Sequence, residues 1–86
     1  MSEVTVYSKG YCPYCHAAKA LLDKKGVAYV EYDVTSDRKK RDEMLARSNG
    51  GRTVPQIFIA DHHVGGFDDL NALEQRGELD ALLAQH

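Results

Sequence analysis

The sequence has no tryptophan, only two cysteines and two prolines, and no long apolar run. Its longest apolar stretches span four residues, whereas a membrane-spanning helix needs about 20. The N-terminus has no basic segment followed by an apolar one, so no export signal is expected and the predicted location is cytoplasmic. The 11 basic and 13 acidic residues give a net charge of −2, which favours neither nucleic acid nor a membrane as a partner.

The composition is that of one folded domain covering residues 1–86, with 43% hydrophobic and 28% charged residues. Alternating polar and apolar residues predict a first strand over Glu3–Ser8. A helix is expected to begin at Pro13, to continue with apolar residues at helical spacing, and to end at Gly26. A second strand is predicted over Val27–Asp33.

The second half of the chain predicts a helix, a hairpin and a final helix. The helix covers Asp37–Arg47, with Thr35 or Ser36 as its cap. The remaining predictions are strands over Gln56–Ala60 and His63–Gly65, a turn at Asp61-His62, and a last helix from Asp68 or Asp69 that Gly77 interrupts. The order β-α-β-α-β-β-α predicts an α/β sandwich with a mixed four-stranded sheet flanked by helices.

The two cysteines form the motif Cys12-Pro13-Tyr14-Cys15, at the point where the first strand leads into the first helix. The first turn of a helix offers unpaired N–H groups and a partial positive charge, which stabilise a thiolate at Cys12. Lys9 adds a positive charge nearby. Because Cys15 lies one turn further along the helix, it can attack a mixed disulfide formed at Cys12. The motif therefore predicts a redox-active pair.

Three other interpretations of the pair are weaker. A zinc site would need further ligands, and the available histidines (His16, His62, His63 and His86) lack the spacing of a zinc finger. The motif Cys12–His16 also matches a c-type haem attachment site, but such a protein requires export. Structurally inert cysteines would leave their position at a helix start unexplained.

Two further segments have both a structural and a functional interpretation. Thr53-Val54-Pro55 is either an ordinary turn or, with a cis proline, a segment that exposes the Val54 backbone to an extended peptide. Gly65–Asp69 is either a tight turn with an aspartate cap or a site for a group that carries both a carboxylate and an amine.

Together these motifs resemble a glutaredoxin, over nearly the whole chain. C-x-x-C alone indicates only the broader thioredoxin-like group, whereas Pro13-Tyr14 within it, T-V-P at 53–55 and G-G-x-D-D at 65–69 are more specific. The chain is most similar to the short bacterial glutaredoxins of the third type. The resemblance implies a thioredoxin-like fold and glutathione-dependent reduction of protein disulfides and glutathione mixed disulfides. Cys12 would be the nucleophile and Cys15 the resolving thiol.

The resemblance also implies one glutathione groove. Lys9 would attract the glycyl carboxylate of glutathione, and the Val54 backbone, beside a cis Pro55, would pair with its cysteinyl unit. The implied glutathione-binding residues are Lys9, Tyr14, Thr53, Val54, Pro55, Gly66, Phe67, Asp68 and Asp69. Of these, the backbone at Phe67 and Asp68 would hold the γ-glutamyl carboxylate, with Asp68 or Asp69 near its amine. Close relatives often carry a third cysteine at position 67, where this chain has Phe67.

The resemblance implies glutathione as a co-substrate, no tightly bound cofactor and no metal. The expected partners are glutathione and proteins that are glutathionylated or contain disulfides, and the expected state is a monomer. Two rival functions remain. A donor recharged by a flavoprotein reductase would need no glutathione groove, and a dimer holding an iron–sulfur cluster would more often carry a single cysteine.

Overall fold

The computed structural model describes residues 3–84 and contains four strands and four helices. In chain order they are β1 (Val4–Ser8), α1 (Pro13–Lys24), β2 (Val30–Asp33), α2 (Arg38–Arg47), β3 (Gln56–Ile59), β4 (His62–Gly65), α3 (Phe67–Gln75) and α4 (Leu79–Ala84). None of these helices is long and apolar enough to cross a membrane.

The four strands form one mixed sheet in the order β2-β1-β3-β4. Strand β1 pairs in parallel with β2 through the crossover helix α1, and antiparallel with β3. Strands β3 and β4 form the antiparallel hairpin. This arrangement confirms the predicted mixed sheet flanked by helices. Because β1 is central, all five of its residues are buried.

The sheet has an apolar core on each face. On one face Val4 and Val6 of β1 pack in a cluster with Ala18 and Leu22 of α1, which also includes residues of α3 and α4. On the other face Tyr7 packs in a cluster that α2 covers with Met44. Successive side chains of a strand alternate between faces, so Ser8 belongs to the α1 face. The nearly full burial of these residues makes apolar packing the main stabilising contribution.

A polar network anchors α2 beside its core. The buried Tyr7 hydroxyl donates a hydrogen bond to the Glu43 carboxylate and accepts one from Arg47 Nη1 at 3.0 Å. Arg47 also lies over the Phe58 ring, with Cζ 4.2 Å from the ring centroid. The network explains how a helix with little apolar surface docks on the sheet.

Strand β2 is shorter than predicted, because it begins at Val30 and not at Val27. The Val27 amide instead donates to the Leu22 carbonyl at 3.0 Å and closes the end of α1. The predicted role of Gly26 is confirmed: it follows the C-cap residue Lys25 with φ +70°. The chain then reaches the register Thr5↔Val30, where pairing with β1 starts.

The cap of α2 and the hairpin turn also differ from the predictions. Asp37, not Thr35 or Ser36, caps α2 by accepting from the Lys40 amide at 3.1 Å. The Thr35 hydroxyl instead accepts from the Gly10 amide at 3.2 Å. The turn lies at 60–61 and not at 61–62, so β3 ends at Ile59 and β4 begins at His62.

The final helix begins one residue before Asp68. Gly66 is its N-cap and Phe67 its first residue, which corrects the predicted start at Asp68 or Asp69. The predicted interruption is confirmed, since Gly77 adopts φ +74° between α3 and α4. Both helices contribute buried leucines to the α1 face of the sheet: Leu70, Leu79 and Leu83.

Candidate active site

Cys12 is the N-cap residue of α1, and its sulfur takes the place of a capping oxygen. Its Sγ accepts a hydrogen bond from the Cys15 amide at 3.3 Å, while Pro13 occupies the first helical position, where an amide would be unpaired. The thiol also donates weakly toward the Val54 carbonyl oxygen, 3.7 Å away. These contacts fix the sulfur between the start of α1 and the loop before β3.

Cys15 differs sharply from Cys12 in its surroundings. Both cysteines are free thiols, but Cys15 is buried with 1% exposure, whereas Cys12 is half-buried. Burial, reinforced by the hydrogen bond with Cys12, raises the pKa of the Cys15 thiol to about 11. A thiol in that state is mostly protonated at neutral pH. The pair therefore combines one accessible thiol, Cys12, with one buried and protonated thiol, Cys15.

A cavity of about 400 Å³ has in its lining Val54, the residue whose carbonyl oxygen lies 3.7 Å from the Cys12 sulfur. This volume lies within the range of small-molecule sites. Tyr14 at the start of α1 and Phe67 at the start of α3 face each other, with ring centroids 6.5 Å apart and planes inclined by 29°. The cavity brings together eight of the predicted site residues: Tyr14, Thr53, Val54, Pro55, Gly66, Phe67, Asp68 and Asp69.

The remaining predicted residues lie outside the cavity lining. Lys9 is exposed in the loop between β1 and α1. The two cysteines belong to the start of α1, where Cys12 is linked to the lining residue Val54. The Val54–Pro55 peptide bond is cis, as the resemblance implied.

The start of α3 separates the roles of its two aspartates. The Asp69 carboxylate accepts the Gly66 amide at 3.1 Å and so completes the cap of its own helix. The Asp68 carboxylate makes no hydrogen bond or ion pair with the described residues 3–84, and both aspartates line the cavity. The Asp68 carboxylate is therefore wholly available to an external group, whereas one oxygen of Asp69 is already engaged in the cap.

Three comparisons with known proteins agree on one family. The family model for glutaredoxin matches residues 4–64. Glutaredoxin 3 of Escherichia coli K12 is 55% identical over 83 residues, which cover 96% of this chain and 99% of that protein. The chain belongs to the glutaredoxin family. A glutaredoxin of Pseudomonas aeruginosa is 51% identical, covering 98% of this chain and 99% of that one.

Solved glutaredoxin structures share this fold, which confirms the predicted thioredoxin-like architecture. The buckwheat glutaredoxin–glutathione complex superposes with a TM-score of 0.83 at 34% identity, covering 95% of this chain and 76% of that chain. The glutaredoxin of Brucella melitensis gives a TM-score of 0.82 at 51% identity, covering 96% of this chain and 89% of that chain. Family membership assigns this glutaredoxin to the thiol oxidoreductases, with Cys12 and Cys15 as its adjacent cysteines.

One residue that supports the site of this glutaredoxin was missed by the sequence predictions. The buried Gln56 side chain donates to the Thr53 carbonyl at 2.9 Å and to its hydroxyl at 3.3 Å. Its Oε1 lies 2.7 Å from Nε2 of His63 on β4. Gln56 therefore ties the cavity residue Thr53 to the edge of the sheet. The available signal was a polar residue at the head of an otherwise apolar strand.

The weaker metal interpretation finds no support within the described part of the chain. Among residues 3–84, no three histidine, cysteine or acidic side chains lie together in a group that could hold a metal ion. The candidate ligand His86 lies outside the described residues.

Proposed function

We propose that this glutaredoxin uses glutathione to reduce glutathione mixed disulfides and protein disulfides through Cys12 and Cys15. The observation that carries the proposal is the contact between the helix-capping Cys12 sulfur and Val54, which lines a 400 Å³ cavity. A thiol beside a cavity with polar backbone and one free carboxylate suits a peptide-like co-substrate. The buckwheat relative, crystallised with glutathione, gives independent support.

In the proposed complex, each end of glutathione meets a complementary group. The γ-glutamyl carboxylate would accept hydrogen bonds from the amides at Phe67 and Asp68, at the positive end of α3. Its amine would pair with Asp68, whose carboxylate is wholly available, whereas one oxygen of Asp69 already caps α3. The exposed Lys9 would attract the glycyl carboxylate. The cysteinyl unit would pair with the Val54 backbone, which brings its sulfur to Cys12.

The reduction of a glutathione mixed disulfide needs only Cys12. Its thiolate attacks the glutathione sulfur, and the substrate leaves as a thiolate that takes up a proton. A second glutathione thiolate then attacks the Cys12–glutathione disulfide, which releases oxidised glutathione and restores Cys12. In both steps the Cys15 amide at the start of α1 is placed to donate a hydrogen bond to the Cys12 sulfur.

The reduction of a protein disulfide needs both cysteines. Cys12 attacks one substrate sulfur and forms a mixed disulfide. Cys15 then attacks the Cys12 sulfur, releases the reduced substrate and leaves a Cys12–Cys15 disulfide, which two glutathione molecules reduce. One disulfide is thus broken for each one formed, so the ratio of reduced to oxidised glutathione sets the direction.

The decisive test is glutathione-coupled reduction of a glutathione mixed disulfide by the wild type, Cys12→Ser and Cys15→Ser. We expect Cys12→Ser to be inactive and Cys15→Ser to remain active, because only Cys12 takes part in that cycle. A wild type that is inactive with glutathione, but is turned over by a flavoprotein thioredoxin reductase, would overturn the glutathione assignment.

A second pair of variants tests the amine contact at Asp68. Asp68→Asn should raise the KM for glutathione with little change in kcat, because it removes a charge partner of the bound amine. Asp61→Asn in the hairpin turn is the matched control, since it removes the same charge from an exposed position. Equal KM values for the two variants would contradict the role of Asp68.

A further inference from the structure

A three-residue polar network joins Lys19 of α1, Ser8 of β1 and Glu31 of β2. Lys19 Nζ is 2.9 Å from Glu31 Oε2, and the same oxygen accepts a hydrogen bond from the Ser8 hydroxyl at 2.6 Å. Ser8 is buried at the end of β1, and the Lys19 side chain retains only 21% exposure. The hydrogen bond from Ser8 holds the Glu31 carboxylate, and that carboxylate in turn holds the Lys19 ammonium.

This network of Ser8, Glu31 and Lys19 lies on the same face of the sheet as Cys15. Ser8 follows Val4 and Val6 on the α1 face, and Cys15 is a buried residue of α1. Lys19 follows Cys15 by four residues, so the two side chains are neighbours on one face of the helix. Helical side chains lean toward the N-terminus, which directs the Lys19 stem toward Cys15.

We propose that Lys19, fixed by Glu31 and Ser8, is a positioning residue that promotes the attack of Cys15 on a mixed disulfide at Cys12. In that step the Cys15 thiolate forms a bond to the Cys12 sulfur, the bond between Cys12 and the substrate breaks, and the substrate leaves as a thiolate. The Cys15 proton passes to solvent. In the reverse step the same ammonium stabilises Cys15 as the leaving thiolate.

The electrostatics agree with this geometry. Burial raises the pKa of Cys15; a backbone hydrogen bond at Lys9 opposes that rise, and the positive charge of Lys19 adds a smaller opposing contribution. The hydrogen bond to Glu31 in turn raises the pKa of Lys19, so the lysine stays charged. The charged or titratable groups around this site come from α1, β2 and the flanking loops: Lys9 (through its backbone), Cys12, Lys19, Asp23, Tyr29, Glu31 and Asp33.

The inference rests on the dithiol part of the proposed function, and it can be tested without glutathione. Reaction of the reduced protein with Ellman's reagent (5,5′-dithiobis-2-nitrobenzoate) releases one thionitrobenzoate when Cys12 attacks and a second when Cys15 resolves the adduct. The first phase depends on reagent concentration and the second does not. Cys15→Ser should lack the second phase, which assigns it.

We expect Lys19→Met to slow the second phase at neutral pH and to leave the first phase nearly unchanged. Losing the positive charge makes the thiolate population of Cys15 smaller, and the greater nucleophilicity of the remaining thiolate partly offsets this loss, so we expect the attack to slow by about threefold. Lys19→Arg should restore the rate, because it keeps the charge. Lys24→Met is the matched control: it removes the same charge from an exposed position on the same helix.

The pH profile separates this role from a structural one. The rate deficit of Lys19→Met should shrink as the pH rises through the pKa of Cys15 in the adduct, where both proteins carry a full thiolate. In a Cys15→Ser background, Lys19→Met should leave the turnover of a glutathione mixed disulfide unchanged. A second phase equal to that of the wild type, or a deficit that is constant at every pH, would overturn the inference. Since the reagent assay contains no glutathione, either of these two results would leave the glutathione assignment untouched.

Discussion

Gly65 should be the glycine at which an added methyl group is most damaging to stability. It has φ +114°, a region that L-residues rarely adopt, and an added Cβ would overlap the Asp69 carboxylate, with Cγ only 3.0 Å away. That carboxylate caps α3 through the Gly66 amide. Gly65→Ala therefore combines backbone strain with the loss of a cap.

The size of the effect follows from these two contributions. Holding a non-glycine residue in a sparsely populated backbone region costs about 1–3 kcal/mol, and losing an N-cap costs about 0.5–2 kcal/mol. We expect the free energy of unfolding of Gly65→Ala to fall by about 2–4 kcal/mol. For a domain of this size, that loss lowers Tm by about 8 °C or more. Urea and thermal unfolding monitored by circular dichroism would measure both quantities.

Gly77→Ala is the matched control for this experiment. Gly77 also has a positive φ of +74°, but an added Cβ there meets no atom of a non-neighbouring residue within 4 Å in the described range 3–84. It should therefore lose only the backbone contribution, about 1–2 kcal/mol. In addition, Asp69→Ala combined with Gly65→Ala should cost less than the sum of the two single changes, because the overlap disappears. If Gly65→Ala were as stable as Gly77→Ala, the steric reasoning would be refuted.

Two further predictions concern titration and thiol reactivity. The hydrogen bonds from Ser8 and Lys19 hold the pKa of Glu31 below its usual range, so their stabilising effect is present at neutral pH and lost on acidification. The stability difference between wild type and Glu31→Gln should accordingly shrink as the pH falls below about 4.3; a difference that is constant with pH would contradict this. In brief alkylation with iodoacetamide at pH 7, peptide mass spectrometry should find Cys12 modified well before the buried Cys15; equal labelling would contradict that order.

The element order and the cysteine pair could be predicted because both depend on local patterns. Alternation marks β1, and Pro13 marks the start of α1 next to Cys12. The start of β2 could not be predicted, because it depends on which β1 residue is available for pairing and on the bond between Val27 and Leu22. Because residues 27–29 are mostly apolar, the sequence-based prediction began that strand three residues too early.

The choice of caps and turns depends on competition between neighbouring polar groups, which a single sequence does not reveal. Thr35 had a suitable side chain for capping α2, but its hydroxyl is engaged by the Gly10 amide. Ala60 lies in the hairpin turn with φ +53°, and its carbonyl accepts from Arg47 Nη2 at 3.3 Å. No turn signal in the sequence points to alanine. These contacts join residues that are far apart in the chain, so only the fold decides them.

The two cysteines are only one helical turn apart, but their different surroundings give them different chemistry. Position 12 caps the helix, so its sulfur accepts from the Cys15 amide and contacts Val54, which lines the cavity. Position 15 lies inside the helix on the face that packs against the sheet, so burial keeps its proton in place. A nucleophile must be ionised before the substrate arrives, whereas a resolving thiol is needed only after the mixed disulfide has formed. A nearby fixed ammonium such as that of Lys19 lowers the cost of ionising the buried thiol at that later stage, without exposing Cys15 to solvent.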